Sequence, residues 1–131
     1  MRMHHIRGYT AIGHGGAAAL ADALRSVRAL RRIDVPGAGA VASTIEAGVA
    51  AHNADWETVR LRLKDAQAAF QAADMVAYAA AVGWRLAEAE RNNDAREAAR
   101  GTFIGLGVRR PERMIDVLAP LPSADHGRGT R

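Results

Sequence analysis

Apolar residues recur along this chain at steps of three and four, and no stretch alternates with period two for long enough to make a strand. Leu20, Leu24, Val27 and Leu30 form one such stripe, and Val41, Ile45, Gly48 and His52 a second. Trp56, Val59, Leu63, Ala66 and Phe70 make the cleanest, followed by Val76, Ala79, Val82, Leu86 and Ala89. Ala95, Ala98, Thr102 and Leu106 continue the pattern, and Met114, Ile115 and Leu118 mark a short last segment. Each stripe predicts an amphipathic helix with one face turned to a core. Met3 to Ile12 carries a weaker helical signal, because Gly8 costs about 1 kcal/mol relative to Ala there.

Helix stops and starts separate these segments at Gly13-His14-Gly15-Gly16, Asp34-Val35-Pro36-Gly37, Asn53-Ala54-Asp55, Asn92-Asn93-Asp94 and Arg110-Pro111. Asp55 reads as an N-cap with Glu57 in the first turn, Asp94 as the cap of the next-to-last helix, and Pro111 with Glu112 as the opening of the last. Gly15, Asp55 and Asp94 recur at intervals of 40 and 39 residues. Seven positions before them lie Gly8, Gly48 and Ala87, and four after them lie Ala19, Val59 and Ala98. Small side chains facing each other across a tight turn are what close antiparallel packing of a helix pair requires. A pair that leaves one apolar side open must stack on a neighbour, so the unit repeats.

Composition sharpens this picture. Thirty of the 131 residues are Ala and aromatics are only 5%, so the core is thin and the helices lie close together. The absence of Cys excludes disulfides, thiolate metal sites and Cys nucleophiles. No apolar run approaches the roughly 18 residues a membrane span needs. No signal-type stretch follows Met1, so a soluble cytoplasmic protein is the expectation. The net charge is +4, carried by seventeen Arg and one Lys, but Asp and Glu are interleaved with the Arg almost throughout.

The segment Ala47-Gly48-Val49-Ala50-Ala51-His52-Asn53-Ala54-Asp55-Trp56-Glu57-Thr58-Val59 resembles the tetratricopeptide motif: a small pair, an Asn/Asp turn, an aromatic, and a small residue three further on. Leu63 and Ala66 fall at the motif's next large and small positions. The C-terminal part, with Trp84-Arg85-Leu86-Ala87-Glu88, the Asn92–Arg96 turn and Gly105-Leu106-Gly107-Val108-Arg109-Arg110-Pro111-Glu112-Arg113-Met114 running on to Leu118-Ala119-Pro120, is similar to the last hairpin of certain tetratricopeptide tails. Such tails occur on bacterial serine/threonine protein kinases and related signalling ATPases. The resemblance implies an all-α fold in which about three antiparallel helix pairs stack as a short α-solenoid with a capping helix. It spans residues 1–119 and leaves 120–131 as a frayed tail. It also implies a detached or truncated tail whose partner is a protein or a kinase or ATPase domain. The chain has no nucleotide loop or catalytic loop of a kinase, so none of that chemistry carries over.

The motif's register puts His4, Gly8, Thr44, His52, Gly83, Glu90 and Arg91 near the concave face, where such arrays bind peptides or partner helices, with Trp84 beside them. Trp84 reads first as a core residue and second as a contact. The adjacent pair His4 and His5 would point about 100° apart on a helix and cannot readily share a metal, so no metal or cofactor is expected. The Gly13–Gly16 turn lacks the Lys-Ser/Thr of a phosphate loop. Asp55 and Asp94 read as caps, and Glu88 and Glu90 as surface charges near Arg85 and Arg91. Ser26, Ser43 and Ser123 lack the setting of a nucleophile. The function expected is a non-catalytic protein–protein interaction module. The alternative is a small nucleic-acid-binding protein using the stripe Arg25, Arg28 and Arg32, which stands without interleaved aromatics.

Overall fold

A computed structural model describes residues 17–121. Six helices follow one another: α1 (Ala17–Arg31), α2 (Ala38–His52), α3 (Trp56–Ala72), α4 (Val76–Glu90), α5 (Asn93–Gly105) and α6 (Pro111–Leu118). No strand occurs among the described residues, and the protein is all-α. Each of the first five helices packs against the next, giving an antiparallel stack, while α6 lies mainly on α4 and touches α5. Residues before Ala17, including the Gly15 turn, Gly8 and the Met3–Ile12 segment, and residues after Leu121 lie outside the described region. No described helix is long and apolar enough to cross a membrane.

Four of the joints share one backbone geometry. Ala54, Asp74, Arg91 and Gly107 all have positive φ; Arg91 is the C-cap of its helix, and the other three sit one residue past theirs. At the residue after each of them the backbone N–H donates to a carbonyl five residues back: Asp55 to Ala50, Met75 to Phe70, Asn92 to Ala87 and Val108 to Phe103, at 2.9–3.0 Å. The positive-φ residue itself donates three residues back in every case. This is the Schellman ending, which satisfies orphan carbonyls and reverses the chain in a minimum of residues. Joints between the proposed pairs are therefore built like joints within them.

Asp55 caps α3 as expected, accepting from Thr58 N at 3.3 Å, and Pro111 opens α6. The cap of α5 is Asn92, whose Oδ1 accepts from Ala95 N at 3.0 Å. Asp94 instead lies in the first helical turn, where its charge complements the helix dipole. The joint preceding α2 uses Gly37, at φ 87°, and a Cβ there would run into the Met75 thioether. The α1–α2 loop and the α3–α4 joint thus meet at one end of the stack.

The core is thin and alanine-rich, with Leu30, Ile45, Leu63, Phe70, Phe103 and Ile115 as its largest fully buried side chains. The Phe70 ring stacks on Tyr78 at 5.1 Å between centroids, tying α3 to α4. The Gln67 side chain of α3 lies over Gly83 of α4, with Nε2 2.5 Å from where a Cβ would stand. Gly48 and Val59, a predicted facing pair, are both buried.

Three predicted faces differ from those observed. In α1 the buried stripe is Ala23, Ser26, Val27 and Leu30, while Leu24 is exposed. In α5 the buried residues are Ala99 and Phe103, and the predicted stripe Ala95, Ala98, Thr102 and Leu106 is exposed throughout. Burial of Phe103 removes far more apolar surface from water than burial of several alanines, and it sets the helix rotation. Helix α2 presents no single stripe, because residues all round it are buried. Beyond α6, Ala119 is fully buried and Leu121 packs against the core, so order continues past the expected boundary at Ala119.

Candidate interaction surface

Helices α4, α5 and α6 line an open cleft of about 480 Å³, with Arg85, Glu88, Arg100, Glu112 and Asp116 among its walls. The side chain of Arg85 is only 10% exposed. Its Nε donates to the Ala119 carbonyl at 2.8 Å, Nη1 to Glu88 Oε1 at 3.0 Å and Nη2 to Asp116 Oδ1 at 2.9 Å. One guanidinium therefore binds its own helix, an acid of α6 and the carbonyl that ends α6, in the fork geometry that Arg alone provides. A second pair, Arg100 with Glu112, joins α5 to the first turn of α6. The Glu112 carboxyl is held below its usual value by its own backbone N–H first and by Arg100 second. The cleft is a docking joint for α6, with both acids of that helix engaged.

The residues predicted for a concave face separate into three groups. Thr44 is fully buried and its hydroxyl donates to the Ala40 carbonyl at 2.9 Å, which removes it from any partner surface. Trp84 is buried in the core, its ring forming part of the cleft wall behind α6, in line with the packing role. His52, Glu90 and Arg91 lie at the ends of α2 and α4, which antiparallel packing brings to the same end of the stack. Of these His52 is half-buried, Glu90 pairs with Lys64 of α3 at 3.5 Å, and Arg91 is the positive-φ residue of its joint. His4 lies outside the described residues. In the Arg stripe of α1, Arg25 pairs with Asp22 at 3.2 Å, and Arg28 and Arg32 are exposed. Among the described residues no group of three His, Asp or Glu side chains is placed to hold a metal ion.

A further surface, at the corner where α5 ends and α6 begins, escaped the sequence reading. Seven large hydrophobics are exposed among the described residues, and three of them fall between 104 and 117: Ile104 at 52%, Leu106 at 53% and Val117 at 67%. Arg109, Arg110 and Arg113 are exposed in the same stretch, and no carboxylate pairs with any of them among the described residues. Arg110, Arg113 and Val117 follow at steps of three and four and share the outer side of α6, opposite buried Pro111 and Ile115. The signal available in the sequence was the basic run Arg109-Arg110 with Arg113 beside an apolar Ile-Gly-Leu turn.

No family model matches this chain, and neither a curated protein nor a solved structure matches it.

Proposed function

We propose that this chain is a non-catalytic helical-repeat module of the tetratricopeptide type that binds a protein partner, and that the α5–α6 corner takes part in the contact. The observation that carries the reading is that Ile104, Leu106 and Val117, each more than half exposed, fall within the one stretch 104–117 that also holds the exposed Arg109, Arg110 and Arg113. Scattered surface hydrophobics are ordinary, but an apolar group rimmed by charge is characteristic of an interaction surface. The similarity of residues 105–120 to the repeat tails of bacterial signalling kinases and ATPases supports a kinase or ATPase domain of the same cytoplasmic system as that partner.

The test uses the chain as bait in extract of its source cell, beside a variant carrying Ile104→Ser, Leu106→Ser and Val117→Ser. These side chains are exposed, so the variant keeps its helicity and stability within about 0.5 kcal/mol per site. A protein retained by the native chain and released by the variant supports the reading. Equal retention by both removes the corner from the function.

A further inference from the structure

Resting on the reading of the α5–α6 corner as a contact surface, we infer that its partner presents an acidic segment with interspersed apolar side chains. Helix α6 carries two carboxylates, Glu112 and Asp116, and both are already engaged, by Arg100 of α5 and Arg85 of α4. Arg109, Arg110 and Arg113 stand exposed, and among the described residues no carboxylate pairs with any of them. Elsewhere among the described residues Arg25, Arg31 and Arg62 each pair with an acid from their own or the adjacent helix, whereas Arg28 and Arg32 stand exposed without one, four positions apart. Three guanidiniums within five residues, none with a carboxylate among the described residues, make a local positive field denser than that of any other stretch of described residues.

The neighbours of these arginines select the kind of anion. Val117 lies one helical turn beyond Arg113 on the same side of α6, and Leu106 and Ile104 stand exposed just before the basic run. A partner that paired only with the guanidiniums would leave this apolar surface in water. An acidic peptide whose carboxylates meet the Arg and whose apolar side chains meet Val117, Leu106 and Ile104 satisfies both. A nucleic acid fits less well: Phe103, the only aromatic of α5, is fully buried and offers no ring for base stacking.

The experiment measures binding of a fluorescent peptide of Glu-Glu-Leu repeats to the full chain by anisotropy. The native chain binds it. The variant Arg109→Gln, Arg110→Gln, Arg113→Gln loses about tenfold or more in affinity, as removal of three charge-assisted contacts implies. A control with the same change of charge, Arg25→Gln, Arg28→Gln, Arg32→Gln, stays within about twofold, because long-range attraction is screened at physiological salt. Replacing the peptide's Leu by Ser weakens binding to the native chain. The inference is overturned by absence of binding, by equal loss in the control variant, by indifference to the Leu-to-Ser change, or by tighter binding of single-stranded DNA through the same three arginines. If the captured partner is released by the Ser variant but not by the Arg-to-Gln variant, the corner stands as an interface and the acidic partner does not.

Discussion

Arg85 Nε donates to the carbonyl oxygen of Ala119 across 2.8 Å, joining the middle of α4 to the residue that ends α6, 34 positions later in the chain. The same guanidinium holds Asp116, one turn earlier on α6. A helix of eight residues has little stability of its own, since isolated helices shorter than about 12 residues are marginal. The short α6 is ordered because Pro111, Ile115 and Ala119 are buried and because Arg85 receives its C-terminal end. The corner surface exists only while that end is held.

Replacing Arg85 by Leu is expected to lower the unfolding free energy by about 2–3 kcal/mol, because the Ala119 carbonyl and Asp116 lose a charged donor in a nearly buried place. Arg85→Lys recovers less than half of that, since an ammonium cannot serve three acceptors as a planar fork does. Urea unfolding gives the magnitude. Hydrogen exchange should show the amides of α6 losing protection before those of α2 and α3.

Ala54 and Arg91 occupy left-handed backbone positions without being Gly. That conformation costs an L-residue about 1–2 kcal/mol, against which Gly loses some unfolded-state entropy. Ala54→Gly and Arg91→Gly are therefore each expected to stabilise the chain by about 0.5–1 kcal/mol, and Gly107→Ala to destabilise it by about 1 kcal/mol. Thermal unfolding of the three variants decides the matter. A loss of stability in both Gly variants would contradict the joint geometry.

The rotation of α5 can be tested with two residues three positions apart. Phe103→Ala should cost about 3–5 kcal/mol, as for a fully buried aromatic, whereas Leu106→Ser should change stability by no more than about 0.5 kcal/mol. If the stripe of Ala98, Thr102 and Leu106 faced the core, the order would be reversed. Denaturant midpoints of the two variants are sufficient.

Glu112 titrates below its ordinary value in the folded chain because its own backbone N–H and then Arg100 favour the carboxylate. A folded value below the unfolded one means the stabilisation is present above the unfolded value near 4.5 and is lost as pH falls through the depressed one. Glu112→Gln should therefore leave a chain whose stability falls less steeply in that acid range. Melting curves of native chain and variant, taken from pH 7 downwards, should converge once the carboxyl is protonated.

Much of the helix layout was legible because local chemistry specifies it. Asp55 and Pro111 mark starts that depend on a single side chain and its next turn, and both stand where they were read. The stripe of Val59, Leu63, Ala66 and Phe70 combines bulky residues with small ones at one period, and all four are buried. The face of α5 was misread because its alanines follow the helical period on more than one side, and only Phe103 carries enough surface to decide between them. The burial of most of α2 had a signal in its composition: Glu46 is its only acidic or Arg/Lys residue.

The joint at Asp74 was hidden for a different reason. It contains neither Gly nor Pro, and the residue opening the next helix is Met75, which offers no capping oxygen. The turn is held by backbone hydrogen bonds and by packing of Phe70 on Tyr78, not by residues with turn chemistry. The proposed contact surface was hidden because it depends on which acids are engaged elsewhere in the fold. Glu112 and Asp116 are neighbours of Arg109, Arg110 and Arg113 in sequence, but the fold engages them with Arg100 of α5 and Arg85 of α4.

The most direct test of the corner as a contact surface is photo-crosslinking inside the source cell, with the reactive side chain placed at Leu106 in one chain and at Leu61 in another. Leu61 is as exposed as Leu106 but lies on α3, away from the corner. A discrete adduct from position 106, absent from position 61, is the predicted result. The same adducts from both positions, or none from 106 where 61 gives one, would contradict it.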